Sequence, residues 1–133
     1  MFRRWFSKKP VQLSGAPAVR RLKAYSAQSG YVYQYFYEGK RPGGPGGDTG
    51  DEYVFRISAD RKNWHPVTVL VSDVALRAWE GANGRGLSAT ERYAIAKIAL
   101  FQAFDERANP SQMRQEMRVR AADLDAIIET LGL

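Results

Sequence analysis

The chain has 133 residues, 44% hydrophobic and 26% charged, which is enough for one domain with its own core and far from the composition of a disordered chain. It contains no cysteine, which excludes disulfides, thiolate nucleophiles and sulfur-ligated metals and fits a reducing, cytoplasmic setting. The net charge of +6 is concentrated at one end: seven of the 20 basic residues precede residue 24 with no acid among them, leaving 13 against all 14 acids in the remainder.

Those seven are Arg3, Arg4, Lys8, Lys9, Arg20, Arg21 and Lys23. Electrostatic binding is therefore expected from a basic N-terminal arm on a nearly neutral body. Phe2, Trp5 and Phe6 alternate with the first cations, and Pro10, Gly15 and Pro17 interrupt the next stretch, so residues 1–15 read as a flexible basic-aromatic arm and residues 16–133 as a single α+β domain. The stretch through Gln12, Ser14 and Arg20 is no apolar h-region, so neither a secretory nor a twin-arginine signal is expected. Apolar runs long enough to span a bilayer are lacking as well.

Behind Pro17, the recurrence of Val19, Leu22 and Tyr25 every three residues predicts a short helix over 18–28. Three strands come next, Tyr31–Glu38, Glu52–Ser58 and Pro66–Ser72, each rich in aromatic or β-branched residues, with no helical pattern between them. Alternation puts Tyr31, Tyr33, Tyr35 and Tyr37 on one face with Tyr53, Phe55, Ile57, Val67, Val69 and Val71. The reverse face carries Gln34, Glu38, Glu52, Arg56, Ser58 and Thr68, with Val54 and Leu70 among them, and is expected to be wet or partly covered. The connection Gly39–Asp51, with its glycine-proline run, is too long for a tight hairpin and reads as a mobile loop.

Ser72 or Asp73 caps a short helix through Glu80. A main helix starts at Ser88, where Ser88-x-x-Glu91 has capping-box spacing, and ends near Arg107 ahead of Asn109-Pro110. Tyr93, Ala96, Leu100, Ala103 and Phe104 form one stripe, but Ile95 and Ile98 lie nearly opposite with Phe101 to one side. Leu124, Ile127, Ile128 and Leu131, behind Asp123 as a cap and ahead of Gly132, form a last helix able to cover that second surface, to which Met113 and Met117 add a turn. If the last helix does not cover it, Ile95, Ile98 and Phe101 form a homodimer surface. The fold expected is thus α+β: a three-stranded antiparallel meander packed against one long helix, with short flanking helices and a basic arm.

The order helix, three strands, helix is similar in topology to a double-stranded-RNA-binding domain. Such domains open the last helix with a lysine-rich phosphate-binding motif, whereas Ser88-Ala89-Thr90-Glu91-Arg92 presents an acid and one cation, and an acidic first turn disfavours phosphate there. No family is assigned on topology alone.

Catalytic chemistry has little to build on. His65 is the sole histidine, so no histidine pair or Cys-His couple exists, and at the start of a strand it reads as structural. Gly39-Lys40 lacks the spacing of a phosphate loop, and the Gly81–Gly86 run joins two helices rather than a strand and a helix. Arg85 within that turn is a candidate for a ligand carboxylate. Glu38, Asp48, Asp51 and Glu52 flank the glycine-rich loop without calcium-loop spacing. The expectation is a non-enzymatic interaction protein, with no cofactor or metal, whose arm (Arg3, Arg4, Trp5, Lys8, Lys9, Arg20, Arg21 and Lys23) contacts an anionic or acidic macromolecule. The alternative is nucleic-acid binding, RNA or single-stranded DNA, with arm cations on phosphates and sheet tyrosines stacking bases.

Overall fold

The computed structural model describes residues 12–133 and is α+β. It corrects the expected architecture: the sheet has five strands, mixed and curled, and three helices pack with it, rather than three strands on one long helix. In chain order the elements are β1 (Lys23–Ser26), β2 (Val32–Gly43), β3 (Gly50–Ser58), β4 (His65–Ser72), α1 (Asp73–Asn83), α2 (Ala89–Glu106), a 3-10 helix (Pro110–Arg114), β5 (Met117–Val119) and α3 (Ala121–Leu131). Spatial order follows chain order, with β1 to β4 antiparallel and β5 parallel to β4.

The helix expected over 18–28 is replaced by β1. Val19 and Leu22 are 69% and 57% exposed, so their spacing marks no buried stripe. An isolated helix that short nucleates poorly. Its backbone is instead satisfied by antiparallel pairing, Lys23 with Tyr35 and Tyr25 with Tyr33, across a turn closed by the Ala27 N–H donating to the Tyr31 carbonyl at 2.9 Å. β5 was equally out of reach. Met117 and Val119 are buried by pairing with Val69 and Val71, about fifty residues upstream, and no local pattern encodes that partner.

The long first connection is mostly strand. β2 runs to Gly43 and β3 begins at Gly50, so the turn shrinks to residues 44–49, and the ion pairs Lys40–Asp51 (3.1 Å) and Arg41–Glu52 (2.9 Å) cross the extension. Gly50 is buried in the pairing, where a Cβ would collide with the Val71 carbonyl oxygen.

The inner face is built as the alternation implies. Tyr33, Tyr35, Tyr53, Phe55, Ile57, Val67, Val69 and Val71 are buried, while Tyr31, 40% exposed, precedes the strand. α2 lies on this face, with Phe104 stacked on Tyr33 (4.2 Å between centroids) and Phe101 on Tyr25 (4.4 Å). Its capping box is formed: the Glu91 N–H donates to Ser88 Oγ at 3.1 Å, and the Ser88 N–H to Glu91 Oε1 at 2.9 Å. α3 packs against α1 and α2, and Ile95 belongs to the same buried cluster as Leu124, Ile127 and Ile128. The second surface of α2 is therefore covered from within the chain. Asp123 sits one turn into the last helix rather than before it, its carboxylate accepting from the Arg120 N–H at 3.1 Å. On the reverse face Val54 and Leu70 are buried, and Gln34, Glu38, Glu52, Arg56 and Thr68 are half-buried.

Candidate functional site

A β-bulge in β2 helps to set up a cleft between the sheet and α2. Pairing steps from Tyr37 opposite Phe55 to Gly39 opposite Val54, skipping Glu38. One extra residue flips every later side chain to the other face. Lys40 consequently comes inward beside Tyr53, where unbroken pairing from Tyr37 would have put Gly39 and turned Lys40 to the outer face. Gly39 makes the bulge feasible: its φ is +128°, and a Cβ would approach the Ser14 carbonyl oxygen to 2.8 Å. Ser14 uses that space to exchange two backbone hydrogen bonds with Lys40, at 2.9 and 2.8 Å, so the chain from Ser14 through Pro17 is laid along the mouth of the sheet.

Between this segment, β2, β3 and the first half of α2 lies a cleft of about 420 Å³, lined by Gly15, Pro17, Arg21, Lys23, Lys40 and Lys97 together with Tyr35, Tyr37, Tyr53 and Tyr93. Tyr37 packs on Tyr93 at 4.8 Å and on Tyr53 at 6.3 Å between centroids. Of the four cations, Lys40 is neutralised by Asp51. Arg21, Lys23 and Lys97 form no ion pair with any described acid. Lys97 stands with its ammonium 5.7 Å from the Phe101 ring centroid and 6.0 Å from that of Tyr35. Burial, and then the neighbouring Lys23 ammonium, hold Lys97 below the usual lysine range.

The phenols shift the other way. Burial pushes the Tyr53 hydroxyl up to about 12, aided by the Asp51 carboxylate, and raises Tyr35, Tyr37 and Tyr93. At neutral pH they are neutral hydrogen-bonding groups in an apolar wall.

The basic segment is divided by its extended backbone. Arg21 and Lys23 face the cleft, while Arg20 crosses to the outer face, 4.7 Å over the Phe36 ring and 3.9 Å from Glu38. Arg3, Arg4, Trp5, Lys8 and Lys9 lie outside the described residues. Of the dimer candidates, Ile95 is fully buried, and Ile98 and Phe101 are partly buried against the core.

The minor candidates resolve into structure. Glu38, Asp48, Asp51 and Glu52 each meet a cation, Arg56, Arg118, Lys40 and Arg41 respectively, and the described residues hold no cluster of three metal-ligating side chains. Arg85 rests 5.3 Å over the Trp79 ring and 3.4 Å from Glu91. His65 is kept below its usual range by burial and by Arg114 and Arg56, with a buried Nε2 that has no partner and no acid beside it. None of the described helices is long and apolar enough to cross a membrane.

Lys40 and Lys97 escaped the sequence reading, Lys40 because the bulge that turns it inward is invisible in the alternation. Lys97 did leave a trace: Tyr93, Lys97 and Phe101 recur every four residues, a spacing that places a cation among aromatic side chains along one helix face. No family model, curated protein sequence or solved structure matches this chain.

Proposed function

We propose that the chain is a non-enzymatic binding protein for an anionic partner, and that the contact centres on the cleft where the basic segment meets the sheet and α2. The observation that carries this reading is the convergence of Arg21, Lys23 and Lys97 on one concavity with no described acid to neutralise them. Lys97 is partly buried and the exposed Lys23 and Arg21 stand beside it; like charges held together around a partly desolvated one are unfavourable, and a bound anion relieves that cost. Arg3, Arg4, Lys8 and Lys9 add four cations earlier in the sequence, raising the net positive charge that speeds encounter with such a partner.

Base stacking along the sheet is the weaker form of the idea. Tyr33, Tyr35 and Tyr53 are at most 5% exposed beneath α2, so the tyrosine row offers no open platform for successive bases. Nucleic acid would have to engage the cations, or enter the cleft one ring at a time.

Elution from immobilised heparin, a generic polyanion, tests the reading. The double variant Lys23→Gln/Lys97→Gln is expected to elute at clearly lower salt than the parent. A charge-matched control, Lys62→Gln/Arg77→Gln, removes two exposed cations elsewhere and is expected to change elution far less. Equal effects from the two variants would reduce the interaction to net charge and defeat the assignment to the cleft.

A further inference from the structure

Resting on that reading, we propose that the cleft selects a phosphomonoester carried on a flat ring, such as a mononucleotide or an aryl phosphate, with the phosphate between Lys23 and Lys97 and the ring against the tyrosines. Charge matching favours phosphate over carboxylate. Lys23, Lys97 and Arg21 present more than one uncompensated cation, and a phosphomonoester brings roughly −1.5 to −2 with three acceptor oxygens, enough to bridge two ammoniums. A carboxylate brings a single charge.

Size and lining argue for the ring. About 420 Å³ is within the roughly 300–1,000 Å³ usual for small-molecule sites and leaves most of the space unfilled by an inorganic ion. Aromatic rings make up much of the rest of the wall, beside Gly15, Pro17, Ala89 and Thr90. Tyr37 and Tyr93, partly buried and tilted against each other, give a ring aromatic surface to pack on, and their hydroxyls bond to no described residue, which leaves donors and acceptors for the polar edge of a base. With Tyr35 and Tyr53 at 5% and 2% exposure, the accessible aromatic surface is confined to the partly buried Tyr37 and Tyr93, which suits one ring rather than a run of bases.

Isothermal titration of the full chain with inorganic phosphate, adenosine, AMP, phenyl phosphate and 5′-phosphorylated or 5′-hydroxyl hexanucleotides tests this. AMP and phenyl phosphate are expected to bind at least tenfold tighter than inorganic phosphate or adenosine. Lys97→Met and Lys23→Met should each weaken AMP tenfold or more, with near-UV circular dichroism confirming the retained fold. Tyr37→Phe, which keeps the ring, should weaken AMP without changing phenyl phosphate. A 5′-phosphorylated hexanucleotide no tighter than AMP assigns the free small molecule. One that is tenfold tighter than both AMP and its 5′-hydroxyl counterpart assigns the same group at a nucleic-acid end. Inorganic phosphate binding as well as AMP would overturn the ring requirement. No binding by any small phosphate, with heparin retention still dependent on Lys23 and Lys97, would overturn this proposal and leave the anion-binding reading standing. Loss of both would remove both.

Discussion

Replacing Asp105 with alanine should release β1 while leaving the rest of the sheet in place. Asp105 lies in the last turn of α2, where Oδ2 accepts the Tyr25 hydroxyl at 2.7 Å and Oδ1 the Gln28 N–H at 2.9 Å. β1 is an edge strand of four residues, paired on one side by β2 alone, so these two bonds are a large part of what ties it to the helix. A hydrogen bond to a charged group contributes about 1.5–3 kcal/mol. Both bonds are partly open to solvent, which reduces each to about 1 kcal/mol, or about 2 kcal/mol for the pair. At tenfold per 1.4 kcal/mol, amide hydrogen exchange at Tyr25 and Ala27 should accelerate roughly 20–30-fold, while β3 changes little. Asp105→Asn keeps an uncharged acceptor and should cost about half as much, a roughly fivefold acceleration. A change below threefold in β1, or equal acceleration in β1 and β3, would refute the argument, the second because it would signal a global rather than local loss. Lys23 begins β1, so the same variant should also weaken anion binding in the cleft.

The packing sets four other outcomes. Phe104→Ala removes a fully buried ring stacked on Tyr33, and urea denaturation should register a loss of about 3–5 kcal/mol. Gly50→Ala places a methyl group against the Val71 carbonyl, a backbone atom unable to move aside, and should lower stability by more than about 1 kcal/mol in the same assay. Ser88→Ala opens the capping box of α2 and should cost about 1 kcal/mol. Alkaline pH acts through the tyrosines: the unfolded chain ionises near the ordinary value of 10, the folded chain only higher, with Tyr53 near 12 and Tyr35, Tyr37 and Tyr93 also raised. The stability they contribute is complete below about pH 10 and is lost as pH climbs through the folded values, so thermal melts should fall steadily from pH 10 upward. Phenolate absorbance that titrates fully near 10 in the folded protein would contradict this.

The sequence exposed whichever features are encoded locally. The inward tyrosines stem from period-two alternation, and α2 from a capping box and a proline stop, and both formed. What it concealed depends on distant partners. Lys23–Ser26 shows only one inward ring, Tyr25, and becomes a strand because β2 supplies a neighbour. Met117–Val119 is too short to carry a period and is recruited by β4 across two α-helices and a 3-10 helix. At the cleft, Arg21 and Lys23 were found through the charge imbalance, although their neighbour Arg20 turns out to face the opposite side. Lys40 was hidden by a bulge whose requirement, the close approach of Ser14 to Gly39, links residues 25 positions apart.

If Lys23 and Lys97 are two like charges held together for an anion, the side-chain titration of Lys97 must register both the strain and its relief. Lysine ¹³Cε shifts of the full chain, measured against pH with and without phenyl phosphate, would show it. Lys97 is expected to titrate below the usual lysine range in the free protein, because burial and Lys23 disfavour its charge, and to move upward when the anion binds. Lys97 titrating in the ordinary lysine range, and unmoved by phenyl phosphate, would contradict the account.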